Sequence, residues 1–240
     1  MNYQNGLIHC KKMKKFKKFS GQGMTSLRTR QRLIERLTEH GIKDVRVLET
    51  MRDTPRHIFL DEALASRAYE DLALPIGYKQ TISQPYIVAR MTELLIEHDK
   101  LNDKPIKNAL EIGTGCGYQT AILAKFSESV LSIERIKPLH DRAKGTLSEL
   151  SIRNIKLLHD DGMTLQDMPN NFDAILCAAA PLEVPNYLLK KLSIGGKLIL
   201  PLGYPTGQEL TLIKREEEDK FTTDSLDKVL FVPLLQGVVN

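Results

Sequence analysis

The chain has 240 residues, of which 42% are hydrophobic, so it can fill one large α/β core, and no apolar run reaches the roughly 18 residues that a membrane-spanning helix requires. Its formal net charge is +4, but residues 1–23 hold six lysines and no acid, so residues 24–240 carry a formal charge of −2 and give no bulk electrostatic case for nucleic-acid binding. The three cysteines are far apart and the six histidines are scattered, which argues against a disulfide framework or a metal cluster and favours a reducing, cytoplasmic location.

The lysines near the start follow the pattern K-K-x-K-K-x-K-K, which predicts a basic, disordered tail over residues 1–23. Contact with anionic lipid or RNA is the alternative interpretation of the same lysines. No apolar segment follows them, so they do not resemble a secretory signal, and Met24 is an alternative start. We expect residues 24–240 to form a single domain.

The next stretch predicts helices around one long loop. Apolar residues at helical spacing give predicted helices at residues 25–39, 44–51, 56–65 and 85–98. Residues 72–85 (LALPIGYKQTISQP) contain two prolines and few charges, and their apolar side chains predict an ordered loop. Ser83 stands two residues before Pro85, where it is either the N-cap of the following helix or a functional residue carried by the loop.

From residue 108 onward, short apolar runs alternate with helical patterns. The predicted strands are residues 109–112, 130–134, 155–159, 172–177, 197–200, 210–214 and 229–232, and the predicted helices are residues 118–126, 138–150 and 184–192. This alternation is typical of an α/β fold with a doubly wound, mostly parallel, Rossmann-like sheet. No helical pattern separates the last two strands, which therefore predict an antiparallel C-terminal edge joined by a solvated acidic turn at residues 216–219.

The first of these strands leads into three alternating glycines, in the pattern E-x-G-x-G-x-G from Glu111 to Gly117. Glycine lets the backbone approach a ligand closely. A dinucleotide-binding fingerprint would require glycine at position 118, which is Tyr118. The run instead resembles the first motif of S-adenosylmethionine-dependent methyltransferases, where a carboxylate such as Glu111 would suit the ammonium group of the cofactor. A turn that only packs a helix onto a strand is the simpler alternative.

Two further acids follow predicted strands, at the edge where open α/β sheets bind ligands. Glu134 ends the second strand, 21 residues after Gly113, where a carboxylate can accept both ribose hydroxyls. A solvent-facing glutamate is the alternative there. Asp161 and Gly162 follow the third strand, and Asp161 could accept from the adenine amino group, although an Asp-Gly turn would also explain the pair.

From about residue 25 to the end, the chain closely resembles the bacterial protein-L-isoaspartate O-methyltransferase family. The stretches that carry the resemblance are LALPIGYKQTISQPYIVARMTELL (72–95), LEIGTGCGYQTAILA (110–124), SIERIK (132–137), FDAILCAAAP (172–181), GGKLILPLG (195–203) and FVPL (231–234). The first is the most discriminating, since many methyltransferases share the glycine motif whereas QTISQP belongs to this family. Lys79 stands where the family usually has glycine and Cys116 where it usually has serine, and the lysine-rich tail lies outside the resemblance.

The resemblance implies an organisation, a reaction and a site. Residues 24–107 would form a helical cap with a substrate loop, and residues 108–240 a cofactor-binding methyltransferase sheet. S-adenosyl-L-methionine would supply a methyl group to the α-carboxyl of isoaspartyl residues in damaged proteins and peptides, and the ester would then close to a succinimide that opens partly to aspartate. Ser83 matches the active-site residue. The cofactor-binding positions implied are Gln80, Thr81, Ile82, Glu111, Gly113, Thr114, Gly115, Cys116, Gly117, Glu134, Asp161 and Gly162, with no metal.

The implied chemistry needs no catalytic triad. A carboxyl with a pKa of about 3.5 is already ionised at neutral pH and needs no general base, so alignment is the main requirement, and we expect Ser83 to orient the carboxylate. The alternatives are a methyltransferase of another substrate, a nicotinamide dehydrogenase and a non-catalytic binding module. An amine substrate is disfavoured because residues 177–181 lack the Asn/Asp-Pro-Pro-aromatic run of amino-directed enzymes. We expect a cytoplasmic monomer that binds neither nucleic acid nor membrane.

Overall fold

The computed structural model describes residues 21–96, 106–165 and 171–240. Nearly all of the predicted tail, and the last two residues of the helix predicted at 85–98, lie outside these ranges. The strands are β1 (Leu74–Gly77), β2 (Gln80–Ile82), β3 (Ile106–Ile112), β4 (Ser127–Glu134), β5 (Ile155–His159), β6 (Phe172–Cys177), β7 (Leu192–Leu202), β8 (Gln208–Glu217) and β9 (Lys220–Val229). Strands β3 to β9 form one sheet, in the order β5-β4-β3-β6-β7-β8-β9.

The direction of the strands divides the sheet into two parts. Strands β3 to β7 run parallel, whereas β8 pairs antiparallel with both β7 and β9. The predicted doubly wound, mostly parallel α/β fold with an antiparallel C-terminal edge is confirmed. The chain winds outward in both directions from β3, whose neighbours are β4 and β6. A crevice therefore opens beyond the carboxyl ends of these central strands, where such sheets bind ligands.

Helices cover the sheet and build the N-terminal cap. They are α1 (Leu27–Glu39), α2 (Val45–Asp53), α3 (Pro85–Ile96), α4 (Tyr118–Phe126), α5 (Lys137–Glu149) and α6 (Asn186–Lys191). Side chains cap the first two, since Ser26 accepts from Thr29 N and Asp44 from Arg46 N. No helix in the described part of the chain is long and apolar enough to cross a membrane.

The predicted helix at residues 56–65 is wrong. The segment forms two 3₁₀ helices, Arg56–Phe59 and Glu62–Arg67. Leu60 between them is extended, with φ −114° and ψ 160°, which interrupts any continuous α-helix. Burial of both Arg56 and Phe59 holds the first turn against the core, so tertiary packing overrides the local helical pattern.

Alternate residues of the central strands face opposite sides of the sheet. Leu110 and Ile175 belong to one buried cluster, whereas their neighbours Ala109 and Leu176 belong to the other. The second cluster continues into the N-terminal helices, where it includes Leu37. The N-terminal cap and the sheet therefore share a hydrophobic core.

The predicted loop at residues 72–85 contains a β-hairpin that was not predicted from the sequence. Strands β1 and β2 pair antiparallel, with Leu74 opposite Ile82. Their turn holds Tyr78 and Lys79 in the left-handed region, at φ 54° and 57°. Short hairpin turns of this kind favour Asn-Gly or Gly-Gly, so a Tyr-Lys pair carries no turn signal. Glycine, which the family resemblance leads us to expect at position 79, would adopt this positive φ without strain.

The last strand begins and ends earlier than predicted. β9 runs from Lys220 to Val229, so residues 230–232 of the predicted strand lie beyond it, and only Glu218 and Asp219 separate it from β8. β9 is an edge strand, and all 10 of its residues are exposed or half-buried. Because neither face is fully buried, it lacks the apolar alternation from which a strand can be recognised.

The chain after β9 crosses the carboxyl edge of the sheet. Pro233 forms an isolated parallel bridge with Ala180, which follows β6, and Val239 forms another with Ile136, which follows β4. Residues 230–240 therefore lie beside the crevice at the central strands.

Candidate active site

A cavity of about 520 Å³ lies at the carboxyl ends of β3, β4 and β6, within the volume range of small-molecule sites. The glycine turn, the β1–β2 hairpin with the residues that follow it, and residues 228–235 form its walls. The predicted site residues that line it are Gln80, Thr81, Ile82, Ser83, Gly113, Thr114, Gly115, Cys116, Glu134 and Gly162. The remaining three, Glu111, Gly117 and Asp161, lie outside its lining.

The glycine turn allows two kinds of close approach: of a ligand to the backbone, and of one helix to another. Gly113 and Gly115 line the cavity at φ 93° and 56°, a conformation that favours glycine. Gly117 has φ 89°, and a Cβ there would lie 2.9 Å from Leu147 Cδ1 on α5. The third glycine therefore lets α4 begin close to α5, whereas the first two present backbone to the cavity.

Glu111 lies behind the turn instead of in the cavity. Its side chain is fully buried, and Oε2 accepts hydrogen bonds from Thr120 Oγ1 and Ser132 Oγ, both at 2.5 Å. Thr114 Oγ1 lies 2.6 Å from Ser132 Oγ, and because the Ser132 hydrogen goes to Glu111, Thr114 is the donor of that pair. Burial raises the pKa of the Glu111 carboxyl to about 7. The Glu111 carboxyl on β3 is thus bonded to hydroxyl groups on α4 and β4, and through Ser132 it is connected to the glycine turn.

Glu134 faces the cavity with both carboxylate oxygens already engaged by backbone. Oε2 accepts from Gly115 N at 2.8 Å, and Oε1 accepts from Ile136 N at 2.9 Å. Each oxygen keeps a second lone pair, so the carboxylate can also accept from hydroxyl groups of a ligand. This acid therefore fixes the glycine turn and remains a candidate acceptor for a ribose.

Asp161 and Gly162 lie at the end of β5. Gly162 lines the cavity, whereas both oxygens of Asp161 accept backbone N–H groups, from Met163 at 2.8 Å and from Gly237 at 2.6 Å. Arg135 Nε donates to the Gly237 carbonyl at 2.7 Å. The two loops after β4 and β5 therefore hold the end of the chain in place.

Ser83 lines the cavity where β2 passes into α3. Its side chain is half-buried, and the hydroxyl has no hydrogen-bond partner among residues 21–96, 106–165 and 171–240. The first turn of α3 is instead capped by Asp71, whose Oδ1 accepts from Tyr86 N at 2.8 Å. The alternative interpretation of Ser83 as an N-cap is therefore not supported, and its hydroxyl is available to a ligand.

The profile of one protein family, described as protein-L-isoaspartate(D-aspartate) O-methyltransferase, matches residues 28–239. The chain belongs to this family. A relative from Saccharophagus degradans is 55% identical over 224 residues, which cover 93% of this chain and 98% of the relative. Another, from Alcanivorax borkumensis, is 51% identical over 221 residues, which cover 92% and 98%. Both are named protein-L-isoaspartate O-methyltransferase.

Solved structures of the family have the same fold. A Plasmodium falciparum protein-L-isoaspartate O-methyltransferase, crystallised with S-adenosyl-L-homocysteine, is 30% identical, with a TM-score of 0.73 over 85% of this chain and 96% of that one. Another protein-L-isoaspartate O-methyltransferase is 24% identical and supports the fold alone, with a TM-score of 0.75 over 88% of this chain and 67% of that one.

Cys116 and Lys79 are the two residues at which the sequence resemblance indicates a departure from the family. Cys116 lines the cavity as a buried free thiol, and burial raises its pKa, so it is present as the uncharged thiol at neutral pH. Lys79 lies in the exposed hairpin turn outside the lining. Neither change brings a charge into the cavity.

The C-terminal wall of the cavity was not predicted from the sequence. Residues 228–235 line the cavity, and Gln208 fixes them, because its side chain accepts from Phe231 N at 2.6 Å and donates to Phe231 O at 3.1 Å. The stretch FVPL was among those that carry the family resemblance, and it was the one sequence feature that could have indicated a role for this wall in the site. It has no period from which a contact with the distant glycine turn could be predicted.

Proposed function

We propose that this protein transfers a methyl group from S-adenosyl-L-methionine to the α-carboxyl of L-isoaspartyl residues in damaged proteins and peptides. The observation that carries the proposal is the meeting of Ser83, on the family-specific QTISQP stretch, with the glycine turn and Glu134 around one cavity. The family match over residues 28–239 supports the same activity.

The cavity residues fit the cofactor. Gly113 and Gly115 present backbone in a conformation that leaves room for close approach, and the spare lone pairs of Glu134 suit ribose hydroxyls. Gln80, Thr81 and Ile82 would bind it from the hairpin side. When bound, S-adenosyl-L-methionine supplies an electrophilic methyl group on a positively charged sulfur.

Glu111 and Asp161 would act on the cofactor differently from Glu134. Glu111 would act through Ser132 and Thr114, since its own carboxyl lies outside the cavity lining. Each carboxylate oxygen of Asp161 accepts one backbone N–H and keeps one lone pair free of these contacts. An adenine amino group would donate to one of these two lone pairs. The first of these roles is indirect, and the second depends on the C-terminal segment remaining in place.

The protein has to bind and align an acceptor that is already reactive. An α-carboxyl is ionised at neutral pH, so no proton has to be removed from it. Among the described residues, the lining of the cavity contains no histidine. The Ser83 hydroxyl would donate a hydrogen bond to one carboxylate oxygen and leave the other directed at the methyl group. Alignment of this kind can contribute about 7–11 kcal/mol to a displacement reaction.

An amine acceptor is less well matched to the site. The residues after β6 that line the cavity are Ala178 and Ala179, which have no side-chain oxygen to accept from an amino group. Methylation of a base amine would require such an acceptor. The nonpolar character of this wall therefore favours an acceptor without N–H groups.

The direct test uses two peptides that differ only in one linkage. Purified protein is incubated with labelled S-adenosyl-L-methionine and either an L-isoaspartyl peptide or its L-aspartyl twin. We expect base-labile methyl ester on the first peptide and none above background on the second. Equal labelling of both peptides, or no labelling of either, would contradict the proposed function.

We further propose that the protein acts as a cytoplasmic monomer, without nucleic acid or membrane. The formal charge of −2 over residues 24–240 supports the absence of a nucleic-acid partner. Light scattering at micromolar concentration tests the monomer, and a doubled mass would contradict it. A gel-shift assay with the full chain, including its basic tail, tests the nucleic-acid statement.

A further inference from the structure

Arg56 is a fully buried arginine, and it lies outside all the sequence motifs to which a role in the reaction was assigned. It opens the 3₁₀ helix Arg56–Phe59, and 0% of its surface is exposed. All of its hydrogen-bond partners in the described chain are main-chain carbonyls. Burying a guanidinium with only neutral partners is costly, so packing alone is a poor reason for an arginine at this position.

The guanidinium of Arg56 joins the cap to the residue that we expect to orient the substrate. Nε donates to the Ala68 carbonyl at 2.9 Å, and Nη2 donates to the Ser83 carbonyl at 2.7 Å. A charged donor at this distance makes a strong hydrogen bond. The main chain of Ser83 is therefore fixed by a contact that spans 27 residues of sequence.

The same guanidinium also contacts the start of the helix that follows the glycine turn. Its central carbon lies 4.9 Å from the centroid of the Tyr118 ring, within the range of a cation–π interaction. Tyr118 lines the cavity, and Phe59 packs edge-on against the same ring at 5.4 Å. One planar group thus contacts two residues of the cavity lining, Ser83 and Tyr118.

A second contact limits movement of the chain just after Ser83. Asp71 accepts from Gln84 Nε2 at 3.1 Å and from Tyr86 N at 2.8 Å. Arg56 and Asp71 both precede Ser83 in the chain, and they hold neighbouring parts of the segment around it. Arg56 donates to the Ser83 carbonyl, whereas Asp71 accepts from the two residues named above. The Ser83 hydroxyl, which has no partner of its own among the described residues, depends on these contacts for its position.

We infer that Arg56 is a positioning residue for methyl transfer, which holds the Ser83 hydroxyl at a set distance from the glycine turn by its paired contacts to the Ser83 carbonyl and the Tyr118 ring. The inference rests on the proposed function. Arg56 does not line the cavity, so it acts through these two residues and not by touching the substrate. Lysine cannot replace it, because a single ammonium group lacks the planar fork and the flat face that make both contacts.

The test compares Arg56→Lys with a matched control, Arg36→Lys. Arg36 also donates to a main-chain carbonyl, that of Tyr69 at 2.6 Å, but this carbonyl is not in the substrate loop. The turnover number with an isoaspartyl peptide and the Kd for S-adenosyl-L-homocysteine are measured for both variants and the unaltered protein. Misplacement by about 1 Å can cost about 100-fold in rate, so we expect a 10- to 100-fold lower kcat for Arg56→Lys. The Kd should stay within about threefold, and Arg36→Lys should match the unaltered protein.

Chemical rescue separates positioning from general loosening of the fold. Methylguanidinium added to Arg56→Ala should restore kcat about fivefold or more, because it can occupy the same space and make the same contacts. It should not stimulate Ser83→Ala or the unaltered protein. A kcat of Arg56→Lys within threefold of the unaltered protein overturns the inference, and so does an equal loss in Arg36→Lys.

The outcomes distinguish this inference from the function on which it rests. An unaltered protein that fails to methylate the isoaspartyl peptide contradicts the function, whereas an active protein with an active Arg56→Lys variant contradicts only the role of Arg56. If the Arg56 variants do not fold, a crystal structure of the unaltered protein with S-adenosyl-L-homocysteine decides. A hydrogen bond retained between Arg56 Nη2 and the Ser83 carbonyl supports the inference, and a separation above about 4 Å overturns it.

Discussion

Gly237 donates its backbone N–H to Asp161 Oδ2 at 2.6 Å, which ties the end of the chain to the loop after β5. The contact is largely shielded from water, since Asp161 is only 6% exposed. It matters for the site because residues 228–235, just before Gly237, form a wall of the cavity. An acid expected to contact adenine therefore also determines where the C-terminal wall lies.

Asp161→Ala should loosen this wall. Hydrogen bonds to charged groups contribute about 1.5–3 kcal/mol, so we expect a loss of about that size in the free energy of unfolding, measured by urea titration. Amide hydrogen exchange should increase at Gly237 and Val239. Asp219→Ala, in the exposed turn between β8 and β9, is the control and should change neither quantity. Unchanged exchange in the Asp161 variant would show that the contact does not hold the segment.

Ser83→Ala should lower turnover and leave cofactor affinity nearly intact. Without the hydroxyl the acceptor carboxylate loses its orienting donor, and we expect kcat to fall about 100-fold. The Kd of S-adenosyl-L-homocysteine, measured by calorimetry, should stay within about twofold. Ser148→Ala on the exposed face of α5 is the matched control and should retain full activity. A kcat close to that of the unaltered protein would remove Ser83 from the mechanism.

Glu111 should make the protein less stable as the pH rises from about 4.5 to 7. Its pKa is raised to about 7 by burial, so in this range the unfolded chain releases a proton that the folded chain keeps, and unfolding is favoured. Above pH 7 both states are ionised and the contribution is constant. The expected size is about 3 kcal/mol.

Glu111→Gln tests this contribution, because the amide does not titrate and its oxygen can still accept from Thr120 and Ser132. The free energy of unfolding of both proteins is measured by urea titration between pH 5 and 8. The difference should shift in favour of the variant as the pH rises, most of it below pH 7. If the difference between the two free energies of unfolding does not change with pH, the pKa of Glu111 is the same in the folded and unfolded chains and the prediction is wrong.

Lys79→Gly should stabilise the hairpin. A non-glycine residue in the left-handed region costs about 1–2 kcal/mol, which glycine avoids. Glycine also has greater conformational freedom in the unfolded chain, and this offsets part of the stabilisation. We expect a net gain of about 0.5–1 kcal/mol in the free energy of unfolding. Lys79→Ala removes the same side chain without relieving the φ of 57°, and it should show no gain. Equal stabilisation by both variants would point to the charge of Lys79 and not to its backbone conformation.

Local patterns were sufficient for the glycine turn and for several elements of the parallel part of the sheet. The apolar runs at β5 and β6 and the helical pattern of α4 predicted these elements at the observed residues, because burial on a strand or helix imposes a period over neighbouring residues. Gly113 and Gly115 line the cavity with positive φ, and their approach to a ligand stays a prediction. The exposed edge strand β9 and the Tyr-Lys hairpin turn lack such patterns and were missed or misplaced.

The α/β architecture, the family and a set of candidate residues at the strand ends could be predicted from the amino-acid pattern alone. The folded chain was needed to show that Glu111 lies behind the turn, that Asp161 holds Gly237, and that Arg56 contacts both Ser83 and Tyr118. These contacts join residues that lie 21 to 76 positions apart in the chain. Whether a polar side chain faces a ligand or a distant backbone group depends on which segments pack together, and no periodicity of neighbouring residues records that.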